Sequence, residues 1–273
     1  GCQALILACN GYGGNPAMVA DHIPEMVRAE YFGHPGNQGD AVNWGEALGA
    51  AAKHMTAYQG HGSVATPHGI LITWAVMMNG GIQVNKLGQR FSNEHRGYSE
   101  QAVDVLAQPD QVAWAILDDR LLTLGHEFEE FNLAEAAGAV RHAKDVEDLS
   151  KIIDVPMAAL QKTLAETTAH AKGETTDTFG RDFTTQPALS PPYYAIRVTG
   201  ALFHTQGGLN IDPQARVLRP DGSALPNLYA GGGAACGLSG SQVWGYLSGN
   251  GLLTAVNLGR IAGQTATKFI KEG

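Results

Sequence analysis

Residues 207–212 read GGLNID, residues 226–233 read PNLYAGGG and residues 248–252 read SGNGL, and these three runs decide the fold. The second run predicts a short strand that ends in a glycine turn. The third run begins with a serine, a residue type favoured at helix N-termini, and an apolar helical stretch follows it. Gly259 and Gly263 within that helix predict close packing against a backbone or a ligand. Strand, turn and helix in this order indicate an α/β fold.

The N-terminal segment also predicts a strand, a turn and then a helix. Residues 1–9 (GCQALILAC) predict a buried strand that enters a turn at Asn10-Gly11. Asn15-Pro16 predicts a helix start, because asparagine caps well and proline at the first helical position loses no needed hydrogen bond. Gly39-Asp40 predicts a second helix start. A native protein rarely opens on a buried strand, so we expect Gly1 to be an internal cut.

The middle of the chain mixes helices and strands. Residues 58–81 predict a loop-rich stretch, and residues 82–84 and 111–117 predict apolar strands. Helices are predicted after Asp145, where acidic residues follow in the first turn, and after Pro156. We therefore expect a mixed α+β block between the two flanking segments.

Composition limits the class of function. The 273 residues carry a net charge of -8 and are 44% hydrophobic, which allows a sizeable core but gives no basic footprint for nucleic acid or anionic membrane. No apolar run approaches the ~18 residues of a transmembrane helix. The cysteines are odd in number and form no CxxC, so we expect neither a disulfide scaffold nor a metal site. They are Cys2, Cys9 and Cys236.

Further motifs lie between the runs quoted above, at residues 4–8 (ALILA), 10–16 (NGYGGNP), 81–85 (GIQVN) and 88–94 (GQRFSNE). In this order, the whole set resembles the fumarate reductase/succinate dehydrogenase flavoprotein superfamily, to which the 3-ketosteroid dehydrogenases belong. The resemblance implies an α/β, discontinuous FAD-binding domain with an inserted mixed α+β cap. It places FAD-binding segments at residues 1–57 and 206–273 and the cap, or substrate domain, at residues 58–205.

One part of the superfamily pattern is missing. No G-x-G-x-x-G follows a first strand to seat the FAD pyrophosphate on a helix N-terminus. We therefore expect an N-terminally truncated FAD-binding domain, whose partner is the missing N-terminal FAD-binding segment. The alternative is a non-catalytic fragment or binding module that does not bind FAD alone.

The resemblance also implies which residues contact FAD. A helix N-terminus stabilises the negative charge of a reduced flavin, and glycines let the backbone pass close to the cofactor. The implied cofactor residues are Gly11, Asp40, Gly207, Gly208, Gly231, Gly232, Ser248, Gly249, Asn250, Gly251 and Leu252.

Hydride chemistry also needs a group that handles a proton and groups that polarise the substrate carbonyl. His61 and His204 match the two histidine positions of fumarate reductases. The arginines of those enzymes do not match, because Tyr98 stands four residues after the Asn-Glu motif, with Arg96 two residues before it. Tyr98 resembles the proton-handling tyrosine of ketosteroid dehydrogenases. As a base it needs a lowered pKa, for which Arg96 is one source.

Two more tyrosines complete the candidate catalytic set. Tyr194 matches a tyrosine of the ketosteroid dehydrogenase branch, and Tyr246 is a candidate hydrogen-bond donor to a substrate carbonyl. Each has a plain alternative as a packed side chain with one hydrogen bond.

Together these residues predict an FAD-dependent oxidoreductase, a dehydrogenase or ene-reductase acting on a CH–CH bond beside a carbonyl or carboxylate. The loss of both arginines favours a large carbonyl substrate, with a ketosteroid as one candidate, over a small dicarboxylate of the fumarate type. We expect a small-molecule substrate, no nucleic-acid or membrane partner, and a cytoplasmic location.

Overall fold

A computed structural model describes residues 1–272 and divides the chain into two compact units. Unit 1 combines Gly1–Gly60 with the segment from Leu202 to the C-terminus, and unit 2 is His61–Ala201. The assignment of residues 1–57 and 206–273 to FAD binding and of the remainder to a cap stays a prediction. Within residues 1–272, no helix is both long and apolar enough to cross a membrane.

The N-terminal part of unit 1 contains short strands and two helices. They are β1 (Leu5–Leu7), α1 (Pro16–His22), β2 (Glu30–Tyr31), α2 (Asp40–Ala47), β3 (Ala52–Lys53) and the beginning of β4 (Tyr58–Ala65). The predicted cap of α1 is confirmed, since the Asn15 side chain accepts hydrogen bonds from the N–H groups of Ala17 and Met18. The predicted start of α2 is also confirmed. It follows Gly39, whose φ of 83° suits glycine.

Unit 2 holds most of the helices. Its elements are β5 (Ile70–Leu71), α3 (Ala75–Met78), β6 (Ile82–Val84), α4 (Tyr98–Leu106), β7 (Val112–Asp118), α5 (Asp119–Gly125), α6 (Glu129–Ala136), β8 (Val140–Ala143), α7 (Val146–Ile153), α8 (Met157–Ala171) and most of β9 (Tyr193–Thr205). The strands predicted at residues 82–84 and 111–117 are confirmed to within a residue. Asp145 caps α7 by accepting a hydrogen bond of 2.9 Å from the N–H of Asp148.

The chain then returns to unit 1 with β10 (Gly208–Leu209), β11 (Arg216–Leu218), β12 (Ala224–Ala230) and α9 (Asn250–Glu272). The predicted close approach of a backbone at Gly259 is confirmed, because a methyl group on Gly231 would lie 3.2 Å from the backbone nitrogen of Gly259. A methyl group built at Gly259 or at Gly263 meets no atom of the described residues within 4 Å, so contacts among these residues do not require glycine at either position, and close packing at Gly263 stays a prediction.

The sheet of unit 1 has the order β1-β12-β11, and β1 pairs with β12 in parallel. The predicted buried strand over residues 1–9 is wrong in length and in burial. Only three residues form β1, and Leu7 is 4% exposed whereas Leu5 and Ile6 are 44% and 38% exposed. The physical reason is that successive side chains of a strand point to opposite faces of the sheet, and at Leu5 and Ile6 the elements among residues 1–272 leave both faces partly uncovered.

The sheet of unit 2 has the order β5-β4-β9-β7-β6, and β8 also pairs with β9. The predicted loop over residues 58–81 is wrong for its first eight residues, which form β4. Glycine and serine within β4 have low strand propensity, but pairing with a long neighbour overrides it. The helices cover an apolar core that includes Val84, Ile116 and Phe131, each fully buried.

A buried ion network joins two loops of unit 2. Arg90 donates hydrogen bonds of 2.9 and 2.7 Å to the two oxygens of Glu94 and one of 2.7 Å to Asp177. Arg181 adds a bond of 3.0 Å to Glu94 and one of 2.8 Å to the carbonyl oxygen of Gly81. Burial by itself raises the pKa of Glu94, but the hydrogen bonds and charge of Arg90, with the charge of Arg181, outweigh it and hold that pKa below its ordinary value. The network therefore fixes the segment that leads into α4.

We predict that Glu94→Gln lowers the free energy of unfolding by about 3–5 kcal/mol, because two buried guanidinium groups lose their shared counter-charge. Urea unfolding of the chain measures this change. Lys151→Gln is the control, since it breaks only the exposed pair with Glu147 and should leave the midpoint almost unchanged. Equally small effects of both variants would contradict a structural role for the network.

Candidate functional site

The ends of β1 and β12 bring two glycine turns together in unit 1. The two strands are parallel, with Leu7 opposite Ala230, and the N–H of Gly231 donates a hydrogen bond of 3.1 Å to the Leu7 carbonyl. The chain then turns at Gly232, whose φ is 58°. A methyl group on Gly233 would overlap the side-chain oxygen of Asn10 and lie 3.0 Å from the backbone nitrogen of Gly11, so the two turns are in close contact. A side chain at position 233 would therefore have to displace the Asn10 side chain.

A second set of contacts surrounds Gly11. Its carbonyl accepts a hydrogen bond of 3.0 Å from the N–H of Gly39, the residue that precedes Asp40 and α2. A methyl group on Gly11 would overlap the hydroxyl of Thr205, which also accepts a bond of 3.2 Å from the N–H of Tyr12. Gly11, Gly39 next to Asp40, and the end of β9 therefore lie together, and the assignment of Gly11 and Asp40 to the cofactor stays a prediction.

Gly207 and Gly208 continue from that strand end. A methyl group on Gly208 would lie 2.6 Å from the carbonyl carbon of Ala235. One on Gly207 would lie 2.6 Å from the carbonyl oxygen of His54. Side chains are thus excluded at both positions, and the backbone at the start of β10 is held against the segment after the 231–233 turn.

The first turn of α9 forms the last part of the unit 1 site. Gly249 has a φ of 81°, and its carbonyl accepts the Leu253 N–H at 3.0 Å. The N–H groups of a first helical turn lack intrahelical partners and carry the positive end of the helix dipole. Asn250 is 4% exposed and donates to the hydroxyl of Ser239. Its side-chain oxygen has no hydrogen-bond partner among residues 1–272.

His204 lies against this helix start. A methyl group on Gly251 would lie 3.0 Å from Cε1 and Nε2 of the imidazole. The ring of Tyr246 meets the His204 ring edge to face, with centroids 6.0 Å apart. Burial lowers the pKa of His204, so the ring stays neutral near pH 7. The structure therefore brings together three predicted site residues of unit 1: His204, Tyr246 and Gly251.

Unit 2 brings together two further candidates, His61 and Tyr98. His61 lies in β4, and its ring stacks on that of Tyr98 with centroids 5.0 Å apart and an interplanar angle of 22°. The Trp74 ring meets the same imidazole edge to face, with centroids 5.7 Å apart and an interplanar angle of 89°. Burial lowers the pKa of His61 to about 3. The structure therefore brings His61 and Tyr98 into ring contact in unit 2, and their role toward a ligand stays a prediction.

A network of side-chain amides holds this pair in place. A methyl group on Gly62 would lie 2.7 Å from the backbone of Gln101, so α4 packs directly on β4. Gln83 donates to the Gly62 carbonyl at 2.8 Å, and Gln101 donates to Gln83 and Ser92 at 2.9 and 2.7 Å. Sequence reasoning missed Gly62, Gln83 and Gln101 as positioning residues. The one available signal was a glutamine inside the apolar strand β6.

The two remaining candidates have partners of their own. Arg96 is half exposed and forms an ion pair with Asp104. Tyr194 donates a hydrogen bond of 2.7 Å to the carboxylate of Asp119, which raises the pKa of this phenol to about 12. That carboxylate stabilises the neutral phenol, so Tyr194 is poorly suited to act as a base near pH 7.

The convergence in unit 1 of a parallel strand pair, glycine turns and a helix N-terminus defines a protein class that binds nucleotide-type cofactors. The chain belongs to the FAD binding domain family, whose model matches residues 2–252. The family resemblance stated from the sequence motifs is confirmed, and so is the α/β fold with an inserted cap.

Relatives of known activity and solved structures match nearly the whole chain. The fumarate reductase (cytochrome) of Shewanella frigidimarina is 31% identical over 271 residues, which are 99% of this chain and 46% of the relative. A flavocytochrome c3 fumarate reductase in its open conformation gives a TM-score of 0.77 at 30% identity, covering 98% of this chain and 47% of that one.

A 3-ketosteroid-Δ4-(5α)-dehydrogenase from Rhodococcus jostii RHA1, solved with 4-androstene-3,17-dione, gives a TM-score of 0.70 at 25% identity and covers 97% of this chain and 52% of that one. The chain therefore spans about half the length of the relatives that it matches.

The residues at the start of α9 fit FAD. The isoalloxazine ring has amide-type N–H and carbonyl groups, and this helix start offers first-turn N–H donors and the unused buried acceptor of Asn250. A methyl group on Gly249 meets no atom within 4 Å, so the protein leaves space there. By contrast, Gly207 and Gly208 are required by backbone contacts within unit 1, with or without a cofactor, and Gly11 lies against the Thr205 hydroxyl.

We predict that Gly208→Ala lowers the free energy of unfolding by about 1–3 kcal/mol, because the added methyl group meets backbone that cannot rotate away. Gly263→Ala is the matched control. Its methyl group meets nothing within 4 Å inside a helix, so the gain in helix propensity should stabilise by roughly 0.5–1 kcal/mol. Urea unfolding compares the two variants, and a neutral Gly208→Ala would contradict the packing described for β10.

Proposed function

We propose that this chain is part of an FAD-dependent oxidoreductase that acts on a CH–CH bond beside a carbonyl or carboxylate group. The observation that carries the proposal is the contact of His204 with Gly251 at the start of α9, in a chain of the FAD binding domain family. The contact puts the polar, neutral ring of His204 at a helix N-terminus suited to a reduced flavin. Membership of the FAD binding domain family implies the cofactor.

When bound, FAD supplies hydride transfer to or from a substrate carbon. The residues of this chain then have to hold the substrate and move a proton at the neighbouring carbon. Tyr98 is the proposed proton-transfer residue, as donor in reduction or acceptor in dehydrogenation. His204 and Tyr246 are the proposed hydrogen-bonding groups for the substrate carbonyl or the flavin, and the α9 first turn stabilises developing negative charge.

The neutral character of these groups favours an uncharged carbonyl substrate, for which a ketosteroid is the proposed example. The rings of His61 and His204 are neutral near pH 7, and Arg96 is paired with Asp104. The ketosteroid dehydrogenase relative supports this assignment. A dicarboxylate is the second candidate, because the fumarate reductase structure matches the chain with a TM-score of 0.77 at 30% identity, against 0.70 at 25% for the ketosteroid dehydrogenase.

We further propose that FAD binding requires a pyrophosphate-binding segment outside this chain. Parallel sheets are normally covered on both faces, yet β1 exposes Leu5 and Ile6 at the sheet edge. On α9, Leu252 and Val256 are 77% and 70% exposed, an apolar surface suited to a packed neighbour. The parent polypeptide, meaning this chain joined to that segment, is the proposed enzyme. Without the segment, the chain is a fragment or a binding module.

Absorbance spectra separate these alternatives. The parent polypeptide is expected to purify with a flavin band, and this chain alone is expected to purify without one. A colourless parent that takes up no added FAD would overturn the proposed enzyme.

For the proton-transfer role, we predict that Tyr98→Phe in the parent lowers turnover by about 10²–10⁴-fold while FAD content stays the same. The phenyl ring preserves the stack on His61 and removes only the hydroxyl. Tyr31→Phe is the control, because it removes a tyrosine hydroxyl that is outside the candidate site. That hydroxyl accepts a hydrogen bond from the Asn37 side chain in unit 1. Turnover is measured with a ketosteroid and with fumarate, and unaltered turnover would exclude Tyr98 from the reaction.

A further inference from the structure

A cleft of about 490 Å³ lies in unit 2 between a polar face of α8 and residues 175–179, and is called the α8 cleft below. Its volume lies within the range of small-molecule sites, roughly 300–1,000 Å³. Its lining residues include none of those predicted for catalysis or for FAD binding. The adjoining residues 172–192 form neither helix nor strand. Connections of this length inside a compact unit usually carry a function, often the binding of a ligand.

The walls of the α8 cleft are held in place by buried polar contacts. The side chains of Arg90 and Asp177 are 6% and 2% exposed, and the guanidinium donates to the carboxylate at 2.7 Å. The same carboxylate accepts the backbone N–H of Arg181 at 3.0 Å. From α8, Nδ1 of His170 lies 2.8 Å from the hydroxyl oxygen of Thr175. A ligand would therefore meet walls that are already ordered, which lowers the entropic cost of binding.

The hydroxyl groups of α8 present mainly acceptors to the cleft. Thr163 donates its hydroxyl proton to the Gly88 carbonyl at 2.7 Å, and Thr167 donates its own to the Leu164 carbonyl at 3.0 Å. A hydroxyl has one donor and two acceptor lone pairs, so the lone pairs are the part left for a ligand. The carboxylate of Glu166 adds two further acceptor oxygens to the same lining. These groups suit a ligand with several O–H donors.

The charged carboxylate and cationic side chains of the α8 cleft already form pairs. Arg90 pairs with Asp177, and the Lys162 ammonium lies 3.7 Å from the Glu166 carboxylate. An ionic ligand would compete with one of these pairs, whereas a neutral ligand leaves both intact. Phe179 also lines the cleft and is 42% exposed, which offers an apolar surface to the C–H groups of a ligand.

We propose that the α8 cleft binds a small neutral molecule that carries several hydroxyl groups, such as a monosaccharide or a cyclic polyol. The threonine and carboxylate oxygens accept its O–H groups, and the ring of Phe179 contacts its C–H face. The site needs neither FAD nor the CH–CH substrate, so the proposal goes beyond the proposed function and does not depend on it.

NMR titration of this chain, labelled with nitrogen-15, tests the site without cofactor. The probes are D-glucose and myo-inositol, and sodium sulfate is the ionic comparison. We expect saturable shifts with at least one neutral probe, largest at residues 159–170 and 175–179, and no saturable shift with sulfate. Absence of saturable shifts in these residues with both neutral probes, at tens of millimolar, would overturn the proposal. Saturable binding of sulfate there would overturn the assignment to a neutral ligand.

The variants Thr167→Val and Thr168→Val form a matched pair on one helix. Both hydroxyls donate to the Leu164 carbonyl, at 3.0 and 2.8 Å, but Thr167 lines the cleft and Thr168 does not. We expect Thr167→Val to raise the Kd of the neutral probe about three- to tenfold, as for loss of one hydrogen bond, and Thr168→Val to leave it unchanged. An unchanged Kd in Thr167→Val, or equal changes in both variants, would contradict the proposed contact.

Discussion

Close contacts at glycines, where a Cβ atom would overlap a neighbouring segment, organise unit 1. Gly208 lies against the backbone of Ala235, whereas Gly233 lies against the Asn10 side chain and Gly11 against the Thr205 hydroxyl. Each contact joins segments that are far apart in sequence, so each glycine fixes one segment against another. The result is a tight cluster of strand ends and turns next to the start of α9.

Unit 2 positions its polar groups by a different means. There, buried side chains bond to each other: Arg90 and Arg181 share Glu94, and Gln101 bonds Gln83 beneath the strand that carries His61. A buried polar group without a hydrogen-bond partner lowers the stability of the fold. Networks of buried polar groups therefore favour the one arrangement in which the groups are paired. The same arrangement stacks His61 on Tyr98.

Local signals in the sequence predicted the elements that depend on local physics. The Asn15 cap, the start of α2 after Gly39 and the strand at residues 82–84 all depend on residue types within a few positions. β4 was mistaken for a loop because its glycines and serine have low strand propensity, and its neighbours in the sheet come from distant sequence. The amide network was not predicted, because the contact between Gln83 and Gln101 joins residues that are distant in sequence and each looks like an ordinary polar residue.

For the candidate site, too, motifs predicted some residues, whereas other contacts depend on the three-dimensional structure. Family motifs identified His61, Tyr98 and His204, and the structure stacks the first two. Arg96 was considered as a source of charge for Tyr98, but its ion pair with Asp104 depends on a helical turn that no motif encodes. The hydrogen bond from the Ser63 N–H to Nδ1 of His61 depends on the conformation of β4, which no motif indicates.

The central claim is that the start of α9 and the adjacent end of β9 receive the flavin ring. Photolabelling of the parent polypeptide with an FAD analogue that carries an azide on the isoalloxazine ring, followed by peptide mass spectrometry, tests it most directly. The account predicts label in the peptides that contain residues 204–208 and 248–252. Label confined to unit 2, with none in either of those peptides, would contradict it.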